Sequence, residues 1–326
     1  MYMLERHYDE LTKGLEDRTQ LQAVNITNAA AWFFKDTKNV IEENLSTGTK
    51  LVAWKWDGDF PAVIPPFPVT WMECKIPKWI VDMVNSENTY ALTVTNVDTI
   101  GYLIRADPLL DEDGWMITWE SWRMLNDRME KIRRRVTGEY GVKSSFDDWE
   151  GALKPWWKMT AKCNQQGELI KDSIMYEIDQ GDYCTLTEST IEQSLSDDFF
   201  ETYWWEGCTI WSTFHPVLFA TSLMHAKNVH LVDNPLPPAV AKRRRREGKP
   251  AITFKTLAIE SMRKQTENTT EGGDTSAKRA MHIVRGHFKD YRNSGGLFGK
   301  HKGLYWWDMH VAGDEQAGKV IKDYRI

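Results

Sequence analysis

Leucines 4, 11, 15 and 21 recur at roughly helical spacing among charged residues, which predicts an amphipathic opening helix over residues 3–23. Ala29–Phe34 (AAAWFF) either continues that helix or starts a second one. LVAWKW (51–56) predicts a strand, closed by a turn at Asp57-Gly58. Four prolines exclude regular helix from IPPFPVTWMECKIP (64–77), while its apolar Val69–Cys74 predicts an extended segment running into a strand, with Glu73 near the end. Tyr90–Thr95 and Thr99–Arg105 predict a β pair turning at Asn96-Val97-Asp98. Trp115–Val136 reads as the strongest helix, with Trp115, Trp119, Trp122, Met129 and Ile132 on one face. Lys131, Arg133, Arg134 and Arg135 would then lie at the favourable end of its dipole. Residues 137–175 read as polar and turn-rich, and Ser189–Phe200 as a surface helix. WSTFHPVLFATSLM (211–224) is apolar almost all round, which predicts a buried helix starting near Pro216.

The pattern then changes. Asn234–Pro238 (NPLPP) breaks any helix and the basic run Lys242–Arg246 follows, which places a boundary near residue 240. Ile252–Met262 predicts a strand, and the polar, glycine-containing stretch Gln265–Ser276 a mobile loop. Ala280–Lys289, Gly303–Val311 and Gly318–Ile326 predict three further strands. The expected fold is therefore α+β: a mixed N-terminal body (1–239), and from about residue 250 a four-stranded antiparallel sheet forming a C-terminal module (240–326). The two could pack as one unit.

Charge divides at the same place. Residues 240–326 hold 19 Lys/Arg against 10 Asp/Glu, a net of +9; the whole chain is −6, so residues 1–239 carry −15. A basic module on an acidic body suggests an anionic partner, with internal neutralisation as the plain alternative. Four cysteines without CxxC spacing argue against a structural zinc site and a disulfide framework, and fit a reducing cytosol. No signal-peptide core and no membrane-length apolar run is present, so a cytoplasmic protein without a membrane partner is expected. The sixteen tryptophans suit a core in the first place and a recognition surface in the second.

Four of the eight histidines fall within Ala280–Ile326. If Met281–Lys289 is one strand, alternation puts Arg285, His287 and Lys289 on one face: two cations flanking a group that titrates near neutral pH. That set suits metal-independent RNA cleavage, with His287 as base or acid, His310 or His282 as the second proton-transfer residue, and cations for the phosphorane charge. Gly286 in mid-strand signals a bulge or a close backbone approach, including by a ligand. Each histidine also has a plain reading as a core or surface strand residue. Lys242, Arg243, Arg244, Arg245 and Arg246 form a candidate phosphate-binding tract, or else an exposed linker. Trp306, in the Tyr305-Trp306-Trp307 run, is the candidate base-stacking residue, although at most one of the two tryptophans can lie on a given strand face. No histidine pair has helical i, i+4 spacing and no cofactor signature is present, so neither a metal nor a cofactor is expected.

RGHFKDYR (285–292), LFGKHKGLYWWDMHVAG (297–313) and GKVIKDYRI (318–326), with PPFPVTWMEC (65–74), SLMHAKNVHL (222–231) and KRRRREGKP (242–250), resemble a family of uncharacterised actinobacterial phage and prophage proteins. The resemblance covers the second half well and the first half thinly. It implies a phage or mobile-element origin, and hence a host-cell cytoplasm, and carries no activity with it. Three readings follow: a nucleic-acid-interacting protein, RNA ahead of DNA, in its sharpest form a ribonuclease; a non-enzymatic regulator or inhibitor of a host protein; and a virion component. Oligomeric state is left open.

Overall fold

A computed structural model describes residues 2–35, 60–75, 97–110, 113–125, 153–178, 186–187, 213–260, 280–284, 286–296, 302–307, 310–312 and 314–319. Its framework is a nine-stranded mixed sheet. The strands are β1 (Leu21–Asn25), β2 (Val69–Lys75), β3 (Val97–Pro108), β4 (Trp115–Leu125), β5 (Leu153–Cys163), β6 (Met175–Ile178), β7 (Leu186–Thr187), β8 (Val229–Asn234) and β9 (Phe254–Ile259). Their order is β7-β6-β5-β4-β3-β2-β1-β9-β8. Antiparallel pairing runs from β7 to β2; β1 is parallel to both β2 and β9, and β8 closes the sheet antiparallel to β9. Helices with this sheet make the fold α+β, as the sequence predicts.

Alternation divides the strands between two cores. Val24, Met72, Cys74, Ile100, Tyr102, Ile104, Ile117, Trp119, Trp157 and Met159 face one side. There they meet α3 (residues 27–35) and α4 (residues 213–224). Tyr102 donates its hydroxyl to the Thr213 carbonyl at 2.5 Å, joining sheet to helix. The other side holds a smaller core of Ala23, Trp71, Leu103 and Phe254, covered by Met3, Leu4 and Leu11. These come from two single-turn helices, α1 (Met3–Arg6) and α2 (Tyr8–Leu11). Beyond them this face turns polar: Glu120 stands opposite Lys158, and Lys158 opposite Glu177, with Arg105 paired to Glu120.

Several expectations are corrected here. Trp115–Leu125 is a strand, not the start of a helix; Ile117, Trp119 and Ser121 are buried at period two, which aromatic and β-branched side chains satisfy on a pleated sheet. The expected basic helix end, Lys131 to Arg135, lies outside the described residues. Leu153–Cys163, within the stretch read as turn-rich, is a central strand that buries Trp157, Met159, Ala161 and Cys163. The opening helix is two short turns and a 3₁₀ turn (Arg18–Gln20) that lead into β1. The buried helix expected to start near Pro216 is found, but it is already helical at residue 213; it is buried all round because the sheet lies on one side of it and a C-terminal hairpin on the other. The predicted elements at 51–56, 90–95, 189–200 and 265–276 fall outside the described residues.

The four-stranded C-terminal sheet is also corrected. β9 belongs to the main sheet, between β1 and β8. The remaining strands are β10 (Ala280–Val284), β11 (His287–Asp290), β12 (Leu304–Trp307), β13 (His310–Ala312) and β14 (Asp314–Lys319). They form an antiparallel pair β11-β12 and a three-stranded sheet β13-β10-β14, in which β10 is antiparallel to β13 and parallel to β14.

Candidate nucleic-acid interface

The basic run is a helix, α5 (Pro238–Arg246), rather than a linker. Pro238 takes a first-turn position, where its missing N–H goes unused, and Arg243 to Arg246 occupy the last turn, facing the negative end of the helix dipole. Backbone N–H groups of Glu247 and Lys249 close the end on the carbonyls of Arg243 and Arg244. Arg244 is the buried residue of this helix, 5% exposed, and its guanidinium meets the Glu5 carboxylate at 3.0 Å. Lys242, Arg243, Arg245 and Arg246 are exposed. At helical periodicity they span an arc of about 160°, centred opposite Arg244. One cation therefore anchors the helix while four point outward.

The anchor is built from the N-terminus. Glu73 on β2, also 5% exposed, accepts the N–H groups of Met3 (2.9 Å) and Leu4 (3.3 Å) and the indole N–H of Trp71 (3.1 Å). It thereby seats the first turn of α1 on the sheet. Gly101, opposite Glu73 in register, leaves room for this arrangement: a Cβ there would stand 2.2 Å from the Trp71 ring. Burial pushes the Glu73 carboxyl above its usual range, the nearby Glu5 charge adds to the rise, and the three donors oppose it. Glu5 in turn accepts the Tyr2 N–H at 3.2 Å and holds Arg244. Breaking a buried pair of this kind costs about 3–5 kcal/mol.

The hairpin β11-β12 carries the other candidates. His287 stands opposite Trp307 and Lys289 opposite Tyr305, so these four share one face. The Lys289 ammonium lies 3.9 Å over the Trp307 ring, a cation–π contact. Phe288 and Trp306 share the opposite face, edge to face at 4.8 Å, and Trp306 packs on Phe219 of α4 at 5.0 Å. Trp306 is thus a core residue, while the half-buried Trp307 lies on the opposite face; strand alternation separates them. Gly286 is explained by the same packing, since a Cβ there would meet the Trp306 ring at 2.5 Å. The close approach is made by this indole. Arg285 lies outside the described residues, and the expected single strand Met281–Lys289 is corrected: its two halves belong to β10 and β11, which lie in different sheets. His310 is placed on β13 opposite Val284, and His282 on β10 opposite Ala312.

The hairpin is tied to the body at both ends. Asn228 donates to the Trp306 carbonyl (2.8 Å) and accepts its N–H (2.9 Å), and it also donates to the Glu260 carbonyl at 3.0 Å. Lys227 N–H donates to the Leu304 carbonyl at 2.8 Å. At the other end Arg292 binds Asp290, Glu168 and the carbonyls of Gln166 and Pro61. Its guanidinium holds the Asp290 carboxyl below the usual range. Sequence reasoning missed Glu5, Glu73, Asn228 and Arg292, because the partner of each is distant in the chain or is a backbone group.

Other titratable groups belong to the fold. His215, buried beside Phe33 and Phe60, is pushed down to about 3 and stays neutral. Burial, with the Arg292 charge nearby, also lowers His225, whose Nε2 lies 2.6 Å from the Ile64 carbonyl. His230 stands 3.2 Å from Glu260. Burial pushes the Cys74 and Cys163 thiols up to about 12, which removes them as nucleophiles near neutral pH. Among the described residues no group of three or more His, Cys, Asp or Glu is placed to hold a metal, and no helix is long and apolar enough to cross a membrane. No protein-family model, curated protein or solved structure matches the chain.

Proposed function

We propose that this chain is a nucleic-acid-interacting protein of phage or mobile-element origin that holds RNA, ahead of DNA, through the basic face of α5. The supporting observation is the arrangement of that helix: four exposed cations on one arc, opposite a buried arginine that fixes the helix to the body. Phosphate contacts from such a row are independent of base sequence and release counterions, so affinity falls steeply with salt. In the cleavage form of this reading, His287, on the face of β11-β12 that it shares with Lys289 and Trp307, takes the proton from a 2′-hydroxyl as the 2′-oxygen attacks phosphorus. The departing 5′-oxygen receives a proton from His310, and Lys289 and Arg285 meet the phosphorane charge.

The test is fluorescence anisotropy of labelled oligouridylate and of thymidylate DNA of equal length, over a salt series. Single-stranded RNA should bind more tightly, with a slope of about −0.7 per phosphate contacted. Replacing Lys242, Arg243, Arg245 and Arg246 by alanine should weaken binding at least about tenfold and flatten that slope. Absence of binding at low salt overturns the reading. Incubation with EDTA tests the cleavage form: EDTA-resistant scission that an Arg285→Ala/His287→Ala variant loses is the expected result, and scission that the variant retains excludes these residues.

A further inference from the structure

We infer that Glu5 is the positioning residue of the α5 basic face, so that an acidic side chain at the start of the chain sets how strongly the protein holds polyanions. The inference rests on the nucleic-acid reading of α5 and deepens it. α5 has no buried apolar residue of its own; Arg244 is its buried residue. Only the half-buried Val240 and Ala241 flank Arg244 on the inward side, a small apolar area that gives little packing energy to fix the rotation of the helix about its own axis. Here that rotation is set by one guanidinium held at 3.0 Å by Glu5, both side chains being more than nine-tenths buried.

Glu5 itself does not move freely. It belongs to a single-turn helix whose first N–H groups are held by Glu73 of β2, and whose Met3 and Leu4 are fully buried. A relay therefore runs from the sheet through Glu73, α1 and Glu5 to Arg244. Its terminus is the exposed row Lys242, Arg243, Arg245 and Arg246. Arg244 has a role opposite to that of its neighbours: the sequence makes it one of five equivalent cations, whereas the structure gives its charge to the fold.

Two variants separate this from a plain phosphate-contact role, read by oligouridylate anisotropy in the full chain with circular dichroism as the check on folding. Glu5→Gln removes a negative charge that lies across α5 from the proposed phosphates, so simple electrostatics would strengthen binding. Loss of aim should instead weaken it about tenfold and lower the salt slope by one to two contacts, roughly 0.7 to 1.4. Glu5→Leu/Arg244→Met replaces the buried pair with apolar side chains that can dock α5 without charge. It should restore affinity to within about threefold of the parent, although one cation has been removed. Parent-like affinity and slope in Glu5→Gln overturn the inference, as does a double variant that folds but binds no better than Glu5→Gln. Should Glu5→Gln not fold, the double variant decides alone, parent-like binding being expected and a tenfold loss overturning the inference. If the four-alanine α5 variant binds like the parent, the nucleic-acid reading of α5 itself fails, and the inference falls with it.

Discussion

Single atoms decide several positions. At Gly286 the Trp306 ring occupies the space of a Cβ, and that ring is wedged between Phe219 and Phe288. Gly286→Ala should therefore destabilise the protein by about 1–3 kcal/mol in denaturant titration, as overpacking does. Glu73 gives a pH signature. Its carboxyl is raised from 4.5 in the folded state, so its contribution to stability is present below the unfolded value and is lost as pH rises through the folded one. In Glu73→Gln this titration is absent, while an amide NH₂ faces groups that themselves donate. The variant should be at its greatest disadvantage at about pH 4 and should recover ground towards pH 7, as read by melting midpoints across that range. A disadvantage that grows with pH would contradict the assignment. The sequence marks Gly286, between Arg285 and His287, as a place of close approach without saying what approaches it, and shows Glu73 only as a glutamate near a strand end.

At the scale of elements, the hairpin β11-β12 is fastened by Asn228 and Arg292 rather than by pairing into the main sheet. Asn228 serves the Trp306 peptide as a neighbouring strand would, with one bond accepted and one donated. Asn228→Ala should leave buried backbone groups unpaired and cost about 1–3 kcal/mol, with amide exchange at Trp306 rising more than exchange in β3 or β4. Uniform exchange rates would show that other contacts hold the hairpin. Three stretches, PPFPVTWMEC (65–74), SLMHAKNVHL (222–231) and KRRRREGKP (242–250), supply Glu73, Asn228 and Arg244, each a tether between distant segments. Element type was legible where apolar runs were short and bounded, as in Val69–Lys75 and the helix over 213–224. It was misread at Trp115, where tryptophans at 115, 119 and 122 fit a helical face while Trp115, Ile117 and Trp119 fit a strand.

The whole molecule turns on β9. It is parallel to β1 and antiparallel to β8, so a strand from beyond residue 240 lies between two strands from before it. A fragment of residues 1–239 would expose the β1 edge and strip Phe254 from the second core. It should not fold cooperatively, whereas the full chain should melt in one transition by circular dichroism and tryptophan fluorescence together. An independently folded fragment would support a boundary at residue 240.

The sequence by itself determined the α+β class, the charge split of −15 and +9 and the existence of a buried helix through Pro216–Met224. These depend on composition and local periodicity, which are written along the chain. Only the tertiary structure decided that Arg244 turns inward while its neighbours turn outward, that Trp306 rather than Trp307 enters the core, and that β9 joins the main sheet. Each of these depends on a partner 78 to 239 positions away, or on a sheet neighbour from another part of the chain. Burial of a charge, and the choice of one strand face over the other, are settled by what lies across the contact, and the residue's own chemistry does not specify that.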